Sequence, residues 1–375
     1  MTGLDSYLCY WRTAVVRDRE ITEAVVRPEH RGPSPELQRA LARWNGVHYF
    51  ADDAGKDRLV LIRPLAPPPA ERWWLHGLLF LVTLVTVWMA GAFFAGIPTH
   101  SVPIWSGSWD TTGVAVLAWT ERSLKGLPFA LALMAVLLTH EMGHYFTAKR
   151  YGINASPPYF IPAPIEINFI GTFGAFIRLR SPVVDRRQLM DVGAAGPWAG
   201  FVVALLMLVV GLARSHVVPP GFGEHAPMVV YTPIFEVRLG DSILTHVLRL
   251  AIVGPGTVML HPLAFAGWIG LFVTALNLLP ITQLDGGHVL YALVGRAQQY
   301  LGWIVWVGLL VLGVWWHLWW AWAGLLFLFS GGRLAHPRVL EPQRPVPASR
   351  LPIGLLSIAL FALTFAPVPL TLVGR

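Results

Sequence analysis

Short alternations of apolar and polar positions fill the first seventy residues, in pieces such as "VHYF" and "DRLVLIRPL", followed by "APPPAERWW". This pattern predicts a small region with β character and then a Pro-rich linker. From Trp73 the pattern changes to long apolar runs joined by short polar connections. Spans are expected over about 76–97, 126–147, 192–213, 262–280 and 352–373, each near the ~20 residues that cross a bilayer as a helix. The oily block 301–331 reads either as one tilted helix or as two short helices forming a hairpin. The hairpin returns Arg333, Arg338, Arg344 and Arg350 to the cytoplasmic side, where the Lys/Arg bias places them. The expected fold is an all-α polytopic membrane protein of six or seven transmembrane helices. Its regions are 1–70, a small cytoplasmic part; 71–125, a first transmembrane helix and external loop; 126–295, a membrane core; and 296–375, a C-terminal transmembrane region.

Composition supports the membrane class. Only 13% of the 375 residues are charged, against roughly 25% in soluble domains. The net charge of +7 sits in a few segments, eleven of the 28 Lys and Arg lying before residue 76. That distribution reads as positive-inside topology with a cytoplasmic N-terminus and not as a nucleic-acid face. Residues 214–260 hold three Arg and are placed outside, with an amphipathic helix near 241–253. Cys9, the single cysteine, excludes an intrachain disulfide. No apolar signal core precedes residue 70, and a cell inner membrane is the expected compartment.

One run ends unlike the others. "LALMAVLLTHEMGHYFTAKR" places His140, Glu141 and His144 at the close of an apolar helix. Positions i and i+4 share a helix face, so the two imidazoles can bind one metal ion, with Glu141 beside a water on it. Ionisable groups in a span are costly and mark function. A third ligand is needed, and Asp285 in "NLLPITQLDGGH" is the only acidic residue between Asp241 and Glu341. Pro280 breaks the helix before it, and Gly286 and Gly287 permit a turn after it, which predicts a carboxylate on an irregular intramembrane segment. "GAAGPWAG" (193–200) reads as a close helix contact against the motif helix. "YFIPAPIEINFIGTFGAFIRLR" reads as β structure, with Gly171 and Gly174 bracketing Thr172 and Phe173. His288 is expected in a polar loop.

His140-Glu141-x-x-His144 followed by Asn277-x-x-Pro280-x-x-x-Leu284-Asp285-Gly286 resembles the site-2 protease family of intramembrane zinc metalloproteases. The stretches "GTFGAFIRLRSPVVDRRQLMDVGAAGPWAG" and "HPLAFAGWIGLFVTALNLLPITQLDGGH" resemble its bacterial and plastid branch. The resemblance covers about 126–295. It implies one Zn2+ per chain on His140, His144 and Asp285, Glu141 as general base and acid, and Asn277 holding the substrate backbone or the developing oxyanion. It further implies a membrane-associated β element with a G-x-x-G motif after the HExxH helix. Gly171, Thr172, Phe173 and Gly174 would there receive an unwound transmembrane substrate in the lipid bilayer. Residues 1–70 are a candidate contact for a regulatory partner. A metal transporter or sensor, or a catalytically silent scaffold, are the competing classes, and Glu141 discriminates, because only a hydrolase needs a base beside the ligands.

Overall fold

The structure, a computed structural model, describes residues 4–16, 19–32, 34–44, 46–50, 58–64, 71–96, 123–180, 183–219, 226–337, 339 and 344–374. The N-terminal part is a sheet backed by a helix. Strands β1 (Leu8–Val16), β2 (Arg19–Val26), β3 (Val47–Phe50) and β4 (Arg58–Pro64) pair in the order β1-β2-β4-β3, every pair antiparallel. Helix α1 (Pro35–Ala42) starts where the Ser34 side chain accepts from the Leu37 amide and Pro35 presets the first turn. Its Leu37 and Leu41 bury against Leu8, Val26, Leu59 and Leu61. The Pro-rich linker falls largely outside the described residues, as does the loop expected after the first span.

Helix α2 (Trp73–Phe94) opens with the exposed pair Trp73 and Trp74, as an interfacial anchor would. Helix α3 (Leu127–Arg150) carries the HExxH sequence in its C-terminal half. The chain then forms a hairpin of β5 (Tyr159–Pro162) and β6 (Thr172–Phe176). Helix α4 (Arg186–Leu212) begins six residues before the expected span, because Asp185 caps it by accepting from the Gln188 amide at 2.8 Å. With the short turn leading into α3, these are the three helices, among the described residues, long and apolar enough to cross a membrane.

The all-α expectation needs correction. Strands β7 (His216–Val217), β8 (Met228–Tyr231), β9 (Phe235–Leu239), β10 (Val258–Met259) and β11 (Leu370–Gly374) form a five-stranded sheet in the order β11-β9-β8-β10-β7. Helix α5 (Ile243–Ile252) lies within this region, near the amphipathic helix expected there, and its start is fixed by a reciprocal Ser242–Thr245 capping box. Beyond the sheet come α6 (Pro262–Asn277), α7 (Asp285–Val294), α8 (Gln298–Leu312), α9 (Leu318–Phe329) and α10 (Leu351–Thr364). Residues 301–331 are thus two helices, α8 and α9, held together by Trp306 Nε1 donating to the Ala323 carbonyl at 3.0 Å and Trp320 Nε1 to Leu310 at 2.8 Å. The expected last span stops at Thr364, and Pro367 and Pro369 lead into β11, which pairs antiparallel with β9.

The core lies among α2, α3, α4 and α6, with Phe129, Leu133, Val136, Leu208 and Phe265 buried together. Small residues set the spacing. A Cβ on Gly211 would stand 2.1 Å from the Ala264 amide nitrogen, and one on Gly267 would stand 2.4 Å from that of Leu208. Backbone-to-backbone approach of this kind is how helices associate where lipid offers no hydrophobic drive.

Candidate metal centre

Three ligand atoms from two helices meet at one point. His140 and His144 project from the same face of α3, and Asp285 is the first residue of α7. His140 Nε2 and His144 Nε2 are 3.1 Å apart, and each lies 3.3 Å from Asp285 Oδ2. A tetrahedral centre with bonds of about 2.0–2.1 Å has ligand–ligand edges of about 3.3–3.4 Å. Two of the three edges equal that figure and the His140–His144 edge is about 0.2 Å shorter, so these residues fit a zinc ion with its fourth position open. Among the described residues they are the one cluster of three or more His, Cys, Asp or Glu side chains placed to hold a metal ion.

The surroundings favour imidazole nitrogens with free lone pairs. His144 Nδ1 lies 2.8 Å from the Val192 carbonyl, an acceptor, so Nδ1 holds the proton and Nε2 is left to ligate. That carbonyl immediately precedes the small-residue stretch 193–200 of α4, which lies against α3 as expected. A Cβ on Gly196 would stand 2.0 Å from His144 Nε2, and one on Gly143 would stand 2.5 Å from the Ala195 carbonyl oxygen. The glycines therefore form the wall of the centre. His140, Glu141 and His144 are only 6–7% exposed.

Asp285 sits where two elements change over. Residues 278–284 are irregular, Thr282 has a positive φ of 49°, and α7 begins at Asp285 itself. The expected turn at Gly286 and Gly287 is absent, since both are helical. Their role is proximity: a Cβ on Gly286 would stand 1.9 Å from the Leu278 carbonyl oxygen, and one on Gly287 would stand 2.4 Å from that of Thr282. His288, expected in a loop, is in α7. Its Nδ1 lies 2.6 Å from His336 Nε2, and His336 stacks on Tyr291.

Asn277, the last residue of α6, places Nδ2 3.2 Å from His140 Nε2. A cavity of about 330 Å³ opens beside the cluster, lined by His140, Glu141, Asn277, Thr172, Phe173 and Gly174 among others. The structure thus brings five predicted site residues together, with three of the β-element residues facing the same cavity. Gly171 serves differently. Its φ is +85°, its carbonyl accepts from Thr86 Oγ1 at 2.6 Å, and a Cβ there would stand 2.5 Å from the Thr86 carbonyl oxygen, so it docks the hairpin on α2. Two contributors escaped the sequence reading. The Val192 carbonyl has no side-chain signature, although the Gly193–Gly196–Gly200 spacing marked its neighbourhood. Asn168 shapes the cavity rim by donating to the Thr172 carbonyl at 2.9 Å and accepting from the Ile170 amide at 3.0 Å.

The sequence model of peptidase family M50 matches residues 128–312, the stretch that carries both helices of the cluster. This core belongs to peptidase family M50. The M50 core has plant relatives. The chain is 33% identical over 260 residues to "Probable zinc metalloprotease EGY2, chloroplastic" of Arabidopsis thaliana, an alignment covering 68% of this chain and 44% of that one. It is 31% identical over 267 residues to "Probable zinc metalloprotease EGY1, chloroplastic" of Oryza sativa subsp. japonica, again 68% and 44%. A 36% identity over 193 residues links it to the Arabidopsis thaliana EGY1, covering 50% of this chain and 34% of that protein. The chain thus aligns with less than half the length of these relatives. No solved structure matches it.

Proposed function

We propose that the chain is an intramembrane zinc endopeptidase that hydrolyses peptide bonds within or near transmembrane segments of membrane proteins. The observation that carries this reading is the convergence of His140, His144 and Asp285 at tetrahedral spacing, with Glu141 on the same helix and facing the same cavity. M50 membership of the core supports it. When bound, zinc supplies Lewis acidity toward a water and a substrate carbonyl. His140, His144 and Asp285 hold it. Glu141 takes the proton from the attacking water and returns it to the leaving amine, the work of a positioned general base and acid. Asn277 donates its amide to the substrate backbone or the developing oxyanion. The free edge of β6, which pairs only with β5 among the described residues, receives the substrate as an added strand and keeps it extended. Phe173, 58% exposed beside the cavity, contacts its side chains.

In this reading α6, the two helices of the α8–α9 hairpin and α10 join the three long helices to make seven membrane passages. The N-terminal sheet faces the cytoplasm of a bacterial cell and contacts a regulator. Cys9 is exposed and is the single cysteine, so it reports that orientation. A membrane-impermeant maleimide should label it only after the inner membrane is opened, and labelling of intact spheroplasts would reverse the topology. For the activity, Glu141→Gln is compared with the parent in cells expressing membrane-protein substrates. The variant should retain zinc and lose cleavage by about 10²–10⁴-fold. A metal transporter or a silent scaffold would show no such difference, and equal cleavage by the two proteins would refute the assignment.

A further inference from the structure

A second cavity, of about 600 Å³, lies where α3 ends and α4 and α10 begin. Arg150, Arg187 and Arg350 line it, together with Tyr151 and Asp191. The single carboxylate is already engaged. Arg350 Nε donates to Asp191 at 2.8 Å and 3.0 Å to its two oxygens, and the Tyr151 hydroxyl donates to the same group. Among the described residues, Arg150 and Arg187 have no acidic partner within ion-pair distance, and the Arg187 guanidinium lies 6.0 Å over the Tyr151 ring. The pocket therefore carries two unmatched positive charges on planar groups suited to phosphate oxygens.

Apart from Thr147, the rest of the lining is apolar or aromatic. Ala194, Ala195, Trp198, Ile353 and Leu356 form it, and Leu356 is 54% exposed. Trp198 keeps its own polar end satisfied by donating to Ser357 Oγ at 3.0 Å. Basic residues at one rim, an amphipathic Tyr–Trp pair between, and aliphatic side chains below repeat the polarity profile of a leaflet. Basic pockets between membrane helices recognise phospholipid headgroups in this way.

We propose that this pocket binds the phosphate-bearing headgroup of an anionic phospholipid. Arg150 and Arg187 hold the phosphate, and the first acyl carbons run along Ile353 and Leu356. A free phosphate ion would use the arginines but leave the apolar wall without purpose, which is why the lipid is favoured. The site is close to the metal centre. Asp191 precedes Val192, whose carbonyl orients His144, so the lipid would brace the helix that walls the cluster.

Native mass spectrometry of the full chain in detergent tests this with phosphatidylglycerol and a phosphatidylcholine of the same acyl chains. The parent should retain phosphatidylglycerol about tenfold or more over phosphatidylcholine, and Arg150→Gln/Arg187→Gln should remove that preference. Arg214→Gln, at the far end of α4, should leave it intact. Zinc content of each variant reports whether it has folded. Equal retention of the two lipids by the parent, or an undiminished preference in the zinc-loaded double variant, would overturn the proposal. Displacement of phosphatidylglycerol by millimolar inorganic phosphate would assign the site to the free ion instead.

Discussion

The α3–α4 seam and the α8–α9 hairpin are both built from oily sequence, yet they use it in opposite ways. Eleven residues of α3 are buried, including His140, Glu141 and His144. In α8 only Gln298, Gly302 and Leu309 are buried, and Ile304, Val307 and Val311 are left open at 66%, 49% and 54%. Within the helices, glycine separates the two regions more sharply than hydropathy. An added Cβ at Gly196 strikes a histidine nitrogen of the metal cluster at 2.0 Å, whereas Gly308 and Gly324, within α8 and α9, have nothing within 4 Å; the tightest hairpin glycine, Gly313 at the turn between them, meets the Trp320 ring at 2.0 Å. Hydropathy reports which solvent a helix tolerates. Glycine spacing reports where another backbone must come close, and the costly polar groups sit at that closest approach.

The comparison can be broken at its strongest point. Gly196→Val should expel His144 from its position, abolishing zinc binding and lowering cleavage beyond about 10³-fold, since removing a catalytic constituent costs at least as much as losing a general base. Metal analysis of the purified protein checks it, and full zinc occupancy would mean the seam is not the wall of the centre. Next in size is Asn277→Ala, which should keep zinc and lower cleavage about 10²–10³-fold, the usual loss for one oxyanion donor. Gly174→Val should have a smaller effect. Its φ of +99° disfavours a β-branched residue by about 1–2 kcal/mol although the space is open. A distorted β6 edge should slow cleavage about tenfold with zinc unchanged; loss of zinc would separate the hairpin from the role given to it. At the bottom of the scale, Gly308→Ala should leave zinc and cleavage unaltered and shift stability by no more than about 1 kcal/mol, read as the midpoint of thermal unfolding.

Legibility in the sequence follows the same division. The His140–His144 pair was readable because a four-residue spacing on a helix fixes a shared face before any tertiary contact forms. Asp285 was readable because an acidic residue beside Pro280 and two glycines is rare in an apolar stretch. Its partners in space were less so. Gly193, Gly196 and Gly200 announced a close contact, but the group in contact, a histidine ligand, depends on the rotation of α3 against α4. The five-stranded sheet was missed for another reason. Its strands are two to five residues long, and β11 pairs with β9 across more than a hundred residues of chain. Period-2 alternation needs longer runs to show. The last span was drawn too long because residues 365–373 continue the oily composition of α10, and composition does not separate a strand from a helix end.

The central claim is that His140, His144 and Asp285 share one zinc ion whose open position faces Glu141. Zinc K-edge X-ray absorption on the purified parent and on Asp285→Ala tests it most directly. The parent should show one zinc per chain, four-coordinate, with two imidazole nitrogens and oxygen ligands at about 2.0–2.2 Å, and Asp285→Ala should lose the metal or one oxygen scatterer. A parent without zinc, or a zinc environment indifferent to the loss of Asp285, would contradict the account.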